Sequence, residues 1–174
     1  IKNYKPPLDG KRLMRLWHSA VIIAVLLAID LVSKIWIRAN VPLYELTTLI
    51  PNLIDLTHVQ NRGVSFSFLS DLDDSIRLPL LIGISVLAIA GMIFYQLRYW
   101  LELDEWTKQG LTWILPGAMG NLVDRGWFGH VTDFFHFRWF EVSFFVNNFA
   151  DIFISFGVVC FIASSLVSVR SARA

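Results

Sequence analysis

The chain has 174 residues, enough for one domain; 55% are hydrophobic and 17% charged, and mean hydropathy is +0.56. A soluble domain of this size cannot bury so much apolar surface, so the composition points to a membrane protein. The net charge of +1 comes without a dense basic tract, which argues against nucleic-acid binding, and the single cysteine, Cys160, rules out an intrachain disulfide or a thiolate metal cluster.

A bilayer crossing takes about 20 mostly apolar residues. The first candidate span covers about 17–37. Its basic flank (Lys11, Arg12, Arg15) resembles that of a secretory leader, but Asp30 and Lys34 follow instead of a small-x-small cleavage site, so it is expected to be retained. Asp30 and Lys34 stand at i, i+4, the spacing of an ion pair at the span's end or of a contact with lipid headgroups. Ser33 adjoins Lys34, but neighbouring helix residues point to different faces, which disfavours a Ser–Lys nucleophile. The segment 38–77 follows. Residues 53–59 are β-prone, Asn61-Arg62-Gly63 reads as a turn, and residues 64–68 alternate with period two, so a small sheet resting on the membrane is expected.

The second span covers 78–97. The third, 111–125, is the weakest, being interrupted by Gly110, Pro116, Gly117 and Gly120; the latter two glycines would permit close helix packing. Residues 126–148 are rich in aromatics, including Trp127, Phe128, Phe134, Phe135, Phe137, Trp139 and Phe140. Such a stripe is expected in the headgroup layer as an anchor, with direct substrate contact the lesser reading. His130, Asp133 and His136 lie close together in sequence but fit no established metal-ligand pattern. The fourth span covers 149–169, with Cys160 as packing. Lysines and arginines gather in both tails (Lys2, Lys5, Lys11, Arg12, Arg15; Arg170, Arg173), so both termini are expected in the cytoplasm and segments 38–77 and 126–148 outside. The expected fold is an α-helical membrane protein: a four-transmembrane-helix bundle, one domain over 1–174, with a small extracytoplasmic β-sheet and an aromatic-rich interfacial segment.

In that topology the third span ends near Asp124 and the fourth begins near Asp151, so both carboxylates reach the same rim. Ionisable groups at such depth are costly and mark function. Two adjacent carboxylates cannot easily both ionise; one holds a proton, as in an aspartic protease. Asn121-Leu-Val-Asp124 and Asn148-Phe-Ala-Asp151 share the form Asn-x-x-Asp, which sets an amide beside each acid on one helix face. Helix dipoles would make Asp151, near an N-terminus, the base and Asp124, near a C-terminus, the acid. The plainer reading is that Asn148 caps the fourth helix and Asp124 pairs with Arg125. Asp133 is a further candidate carboxylate without the Asn-x-x-Asp setting.

Gly120-Asn121-Leu-Val-Asp124-Arg125 resembles the G-N-x-x-D-R motif of the bacterial lipoprotein signal peptidases (signal peptidase II), and Asn148-Phe-Ala150-Asp151 resembles their N-x-A-D motif. Asp30-Leu-Val-Ser33-Lys34, Asn61-Arg-Gly63-Val-Ser-Phe66-Ser67 and Gly129-His-Val131-Thr-Asp133-Phe134 are similar to three further stretches of that family, in the same order. The resemblance implies a four-span aspartic endopeptidase of the bacterial inner membrane. It would remove signal peptides from prolipoproteins just before a diacylglyceryl-modified cysteine. It also implies Asp124 and Asp151 as the catalytic pair and Asp30, Lys34, Asn61, Gly63, Asn121, Arg125 and Asn148 as supporting residues. No metal or other cofactor is implied. A lipidated prolipoprotein and membrane lipid are the implied partners, globomycin is the implied inhibitor, and a monomer is expected. Asn147 stands where Phe is usual and Pro116 where Gly is common. The rival class is a small proton-coupled carrier using Asp124 and Asp151 as a relay.

Overall fold

The computed structural model describes residues 10–63 and 73–171. The expected strand at 64–68, with Phe66 and Ser67, lies outside them, as do Lys2, Lys5 and Arg173. The described residues form four helices: α1 Gly10–Asn40, α2 Asp74–Tyr99, α3 Glu105–Phe128 and α4 Phe149–Ser171. Four strands complete the described fold: β1 Thr47–Ile50, β2 Ile54–Asn61, β3 Val131–Trp139 and β4 Val142–Asn147.

α1, α2 and α4 each contain a stretch long and apolar enough to cross a membrane, and only 17%, 11% and 17% of those stretches is buried by protein. Their exposed faces carry Val25, Ile29, Val32, Leu87, Phe94, Val159 and Ile162. Apolar surface of that extent on three long helices belongs in lipid, so the protein is membrane-embedded.

α3 departs from the expectation of four equivalent spans. Its 24 residues are long enough, about 36 Å at 1.5 Å per residue, yet it is not apolar enough to stand with the other three. The reason is its position. α3 packs against α1, α2 and α4 and buries Lys108, Thr112, Asn121 and Asp124 together with Leu111 and Leu115. A central helix meets protein on its polar side, so its composition need not match lipid. Gly120 allows the closest approach, since a Cβ there would collide with the Asp30 carboxylate of α1. Gly117 likewise faces the Ala150 carbonyl of α4.

Capping fixes the ends of α3. The Asp104 side chain accepts from the Thr107 amide at 3.1 Å and from the Ser164 hydroxyl of α4 at 2.8 Å. At the other end Gly129 takes φ +75°, and its amide donates to Arg125 O at 3.0 Å. That left-handed cap ends the helix and turns the chain directly into β3.

The sheet is an antiparallel meander in the order β1-β2-β3-β4. Sequence reading confined the strands to the first outer segment; the structure draws half of them from the second. The aromatics of 131–147 form a hairpin because they alternate: Phe135, Phe137 and Phe145 share one face, with Phe137 and Phe145 5.2 Å apart. The opposite face carries Asp55, His136, Arg138 and Ser143, with Arg138 Nε 2.8 Å from Asp55. Sheet register between β2 and β3, which lie on either side of α2 and α3 in the chain, sets Val59 opposite Asp133 and Asn61 opposite Val131. Asn61 and Asp133 are therefore diagonal neighbours on one face.

Candidate active site

Four elements meet where α3 ends and α4 begins: α1, α3, α4 and the β2–β3 edge of the sheet. α1 contributes Asp30, Lys34 and Arg38, one helical turn apart. Lys34 Nζ lies 2.8 Å from Asp30 Oδ2, donates to Asn121 Oδ1 at 2.9 Å and stands 3.8 Å from Asp124 Oδ2. Asp30 and Lys34 are both fully buried, so their ion pair is internal and not at a lipid-facing helix end. Asp30 Oδ1 also accepts from the Ala150 amide at 2.8 Å, which ties α1 to the first turn of α4.

Asp124 is the first of two contrasting carboxylates. Arg38 Nη1 donates to its Oδ1 at 3.0 Å, and the Thr132 amide donates to its Oδ2 at 2.8 Å. Arg38 also donates to the Thr132 hydroxyl at 2.8 Å and lies over the Phe128 ring, 4.2 Å from its centroid. Both oxygens of Asp124 are thus taken by a guanidinium, an amide and the nearby Lys34 ammonium. Arg38 is a site residue that sequence reading missed; its only signal was a third polar position one turn beyond Lys34.

Asp133 is the second. Successive strand residues point to opposite faces. Thr132 turns to Arg38 and Asp124, and Asp133 turns away from them. Asn61 Nδ2 donates to Asp133 Oδ2 at 2.9 Å, and Asn148 Nδ2 donates to Asp133 Oδ1 at 2.6 Å. Burial, and then the charge of Asp151, push the Asp133 carboxyl up to about 7; the two amides and Lys34 act in the opposite sense. Asp133 is 2% exposed, and that burial is the main reason its ionised form is disfavoured.

Asp151 sits in the first turn of α4. Asn121 Nδ2 donates to its Oδ1 at 2.9 Å, and its own amide donates to Asn148 Oδ1 at 2.9 Å. Asn148 therefore does two things at once: its carbonyl oxygen caps α4 and its amide nitrogen holds Asp133. The two Asn-x-x-Asp elements do converge, with Asn148 Nδ2 3.3 Å from Asn121 Oδ1. The three acids around them have different neighbours. The Asp133 carboxyl feels the charge of Asp151 and is held by Asn148, which also accepts from the Asp151 backbone amide; Asp124 lies in the Arg38–Lys34 cluster.

The remaining expected residues fall around this centre. Gly63 is buried; its amide donates to Asn61 Oδ1 at 3.0 Å, and Arg125 Nη2 donates to its carbonyl at 3.2 Å. Arg125 thus bridges to the segment after β2 and is not the partner of Asp124. His136 turns to Asp55 and Ser143, on the other face of β3 from Asp133, so that histidine and Asp133 do not converge. Ser33 donates to Asp30 O at 2.8 Å, apart from the Lys34 ammonium.

Residues 22–167 match the sequence model of the family described as signal peptidase (SPase) II. The chain is 35% identical over 147 residues to a lipoprotein signal peptidase of Streptococcus pneumoniae, covering 84% of this chain and 91% of that one. It is 37% identical over 152 residues to a lipoprotein signal peptidase of Nostoc sp., covering 87% and 90%. Its fold is similar to a structure described as a bacterial membrane enzyme at 2.3 Å, with TM-score 0.76 at 21% identity over 87% of this chain and 89% of that one.

Proposed function

The chain belongs to the signal peptidase II family, and we propose that it is an aspartic endopeptidase whose working pair is Asp133 and Asp151. Membership carries the coarser activity, removal of signal peptides from prolipoproteins. The observation that supports the finer reading is the setting of Asp133: a buried carboxyl raised to about 7 by burial and by the charge of Asp151, and held by Asn148, which also caps the first turn of α4 where Asp151 sits.

The chemistry follows from that asymmetry. Asp151 lies in the first turn of α4, and Asn121 orients its carboxylate. Asp151 takes a proton from a water, whose oxygen attacks the scissile carbonyl carbon. Asp133 donates its proton to the carbonyl oxygen as that oxygen becomes tetrahedral. Collapse of the intermediate breaks the C–N bond, the proton held on Asp151 passes to the leaving amine, and Asp133 recovers its own. Asp30, Lys34, Asn121 and Asn148 hold the two acids in place through the contacts described above.

The substrate suits the location. A signal peptide is an apolar helix already in lipid, and a diacylglyceryl chain on the cysteine would fix the scissile bond at one depth. The aromatic face of the sheet, with Phe135, Phe137 and Phe145, continues from Asp133 and offers apolar surface for that lipid. We read α3 as crossing the membrane inside the shell of α1, α2 and α4, which makes four spans. Basic residues at the start of α1 favour that end in the cytoplasm, and the Asp133–Asp151 pair then opens at the outer face of the bacterial inner membrane. Globomycin is the expected inhibitor.

Cleavage of a lipidated prolipoprotein by the purified protein tests the reading. Asp133→Asn and Asp151→Asn should each abolish cleavage in a protein that stays folded. Full activity in Asp133→Asn, with loss of activity in a well-folded Asp124→Asn, would restore the Asp124–Asp151 pair.

A further inference from the structure

At the opposite end of the bundle from Asp133, a groove of about 540 Å³ runs between α1 and α2 with α3 as its floor. Trp17, Ala20, Ala24 and Leu27 form one wall, Ile93 and Leu97 the other, and Leu115 and Met119 the base. The lining is apolar except for Gln96. That side chain is only 6% exposed, lines the groove, and makes no hydrogen bond to another described residue. A primary amide left in hydrocarbon costs on the order of 1–3 kcal/mol, so the position calls for a polar partner.

Dimensions say what that partner is attached to. From Leu16 to Leu27, α1 rises about 16 Å. The hydrocarbon core of a bilayer is about 30 Å thick, so the groove matches one leaflet. Gln96 lies one turn from the end of α2 at Tyr99, and so near the boundary between hydrocarbon and headgroups. At that depth the acceptors available are the ester carbonyls of a glycerolipid.

We infer that this groove is a binding site for one phospholipid of the leaflet at the amino-terminal end of α1, with an acyl chain along α1–α2 and a glycerol ester accepting from Gln96 Nε2. The bound chain fills the gap between the two helices over α3. It thereby supports, from the far end, the bundle that carries Lys34, Asn121 and Asp151. The site is independent of the peptidase reading.

Native mass spectrometry of the whole protein, released from mild detergent, reads the site. The wild type should keep one phospholipid per chain under activation that strips the rest. Gln96→Leu, which matches the side chain in size, should lose that adduct, as should Ala24→Trp, which fills the groove. Leu87→Trp, on the exposed face of α2, should keep it. Delipidated wild type should regain thermal stability on adding phospholipid, and Gln96→Leu should regain less. Equal lipid retention by wild type and Gln96→Leu would mean an unspecific lipid shell and overturn the inference. Displacement of the adduct by an apolar signal-peptide helix would give the groove to substrate and overturn it as well.

Discussion

Asp124 and Asp133 are nine residues apart and both buried, yet their surroundings give them opposite characters. Asp124 meets Arg38, Lys34 and a backbone amide. Asp133 meets two neutral amides and the charge of a second carboxylate. The cations and the amide around Asp124 join α1, α3 and β3. Burial beside amides and another acid leaves a proton that can be exchanged. Depth in the protein does not by itself mark a catalytic carboxylate; the kind of neighbour does.

The largest expected effect tests the exchangeable proton. Asp133→Asn and Asp151→Asn should each lower kcat by roughly 10³-fold or more, since in the proposed mechanism each acid transfers a proton in the same transition state. Lipoprotein cleavage in detergent measures this. If either variant retains a tenth of wild-type turnover, the two acids do not differ in the way described.

Next comes the Asp124 cluster. Asp124→Asn should destabilise the fold by about 3–5 kcal/mol, because Arg38 and Lys34 lose their shared partner. Turnover per folded molecule should fall far less than in Asp133→Asn. Arg38→Leu should cost less, about 1–3 kcal/mol, because Arg38 is 20% exposed and Lys34 remains. Thermal unfolding followed alongside activity separates the two kinds of damage.

Asp133 also predicts a response to pH. Asp133 binds its proton more tightly folded, at about 7, than unfolded, near the ordinary 3.8. The stability it contributes is complete below about pH 4 and is lost as pH rises to about 7. Asp133→Asn should therefore unfold at a higher temperature than wild type at pH 8, with the gap closing toward pH 4. The smallest effect concerns Asn61. Its amide stabilises the ionised form of Asp133, so Asn61→Ala should move the alkaline fall in kcat/KM, expected near pH 7, to higher pH by up to about one unit. A fall that stays in place, or moves to lower pH, would detach Asn61 from the titrating group.

Much of this was legible in the linear chain. Apolar runs mark α1, α2 and α4 because lipid-facing surface must be apolar all along a span. The Asn-x-x-Asp spacing led to Asn121, Asn148 and Asp151, because local periodicity fixes which side chains share a helix face. The glycines of α3 marked a helix that is closely packed on its neighbours. Two matters were decided only in three dimensions. The hairpin of 131–147 joins the sheet because its register is set against β2, on the far side of α2 and α3 in sequence. Strand alternation turns Thr132 toward Arg38 and Asp133 toward Asn148, the cap of α4, while Arg38 arrives from another helix to meet Asp124. A sequence records the direction of each side chain along its own element. Which charges meet depends on how the elements pack, and for carboxylates that meeting decides whether the group is a structural ion or a proton donor.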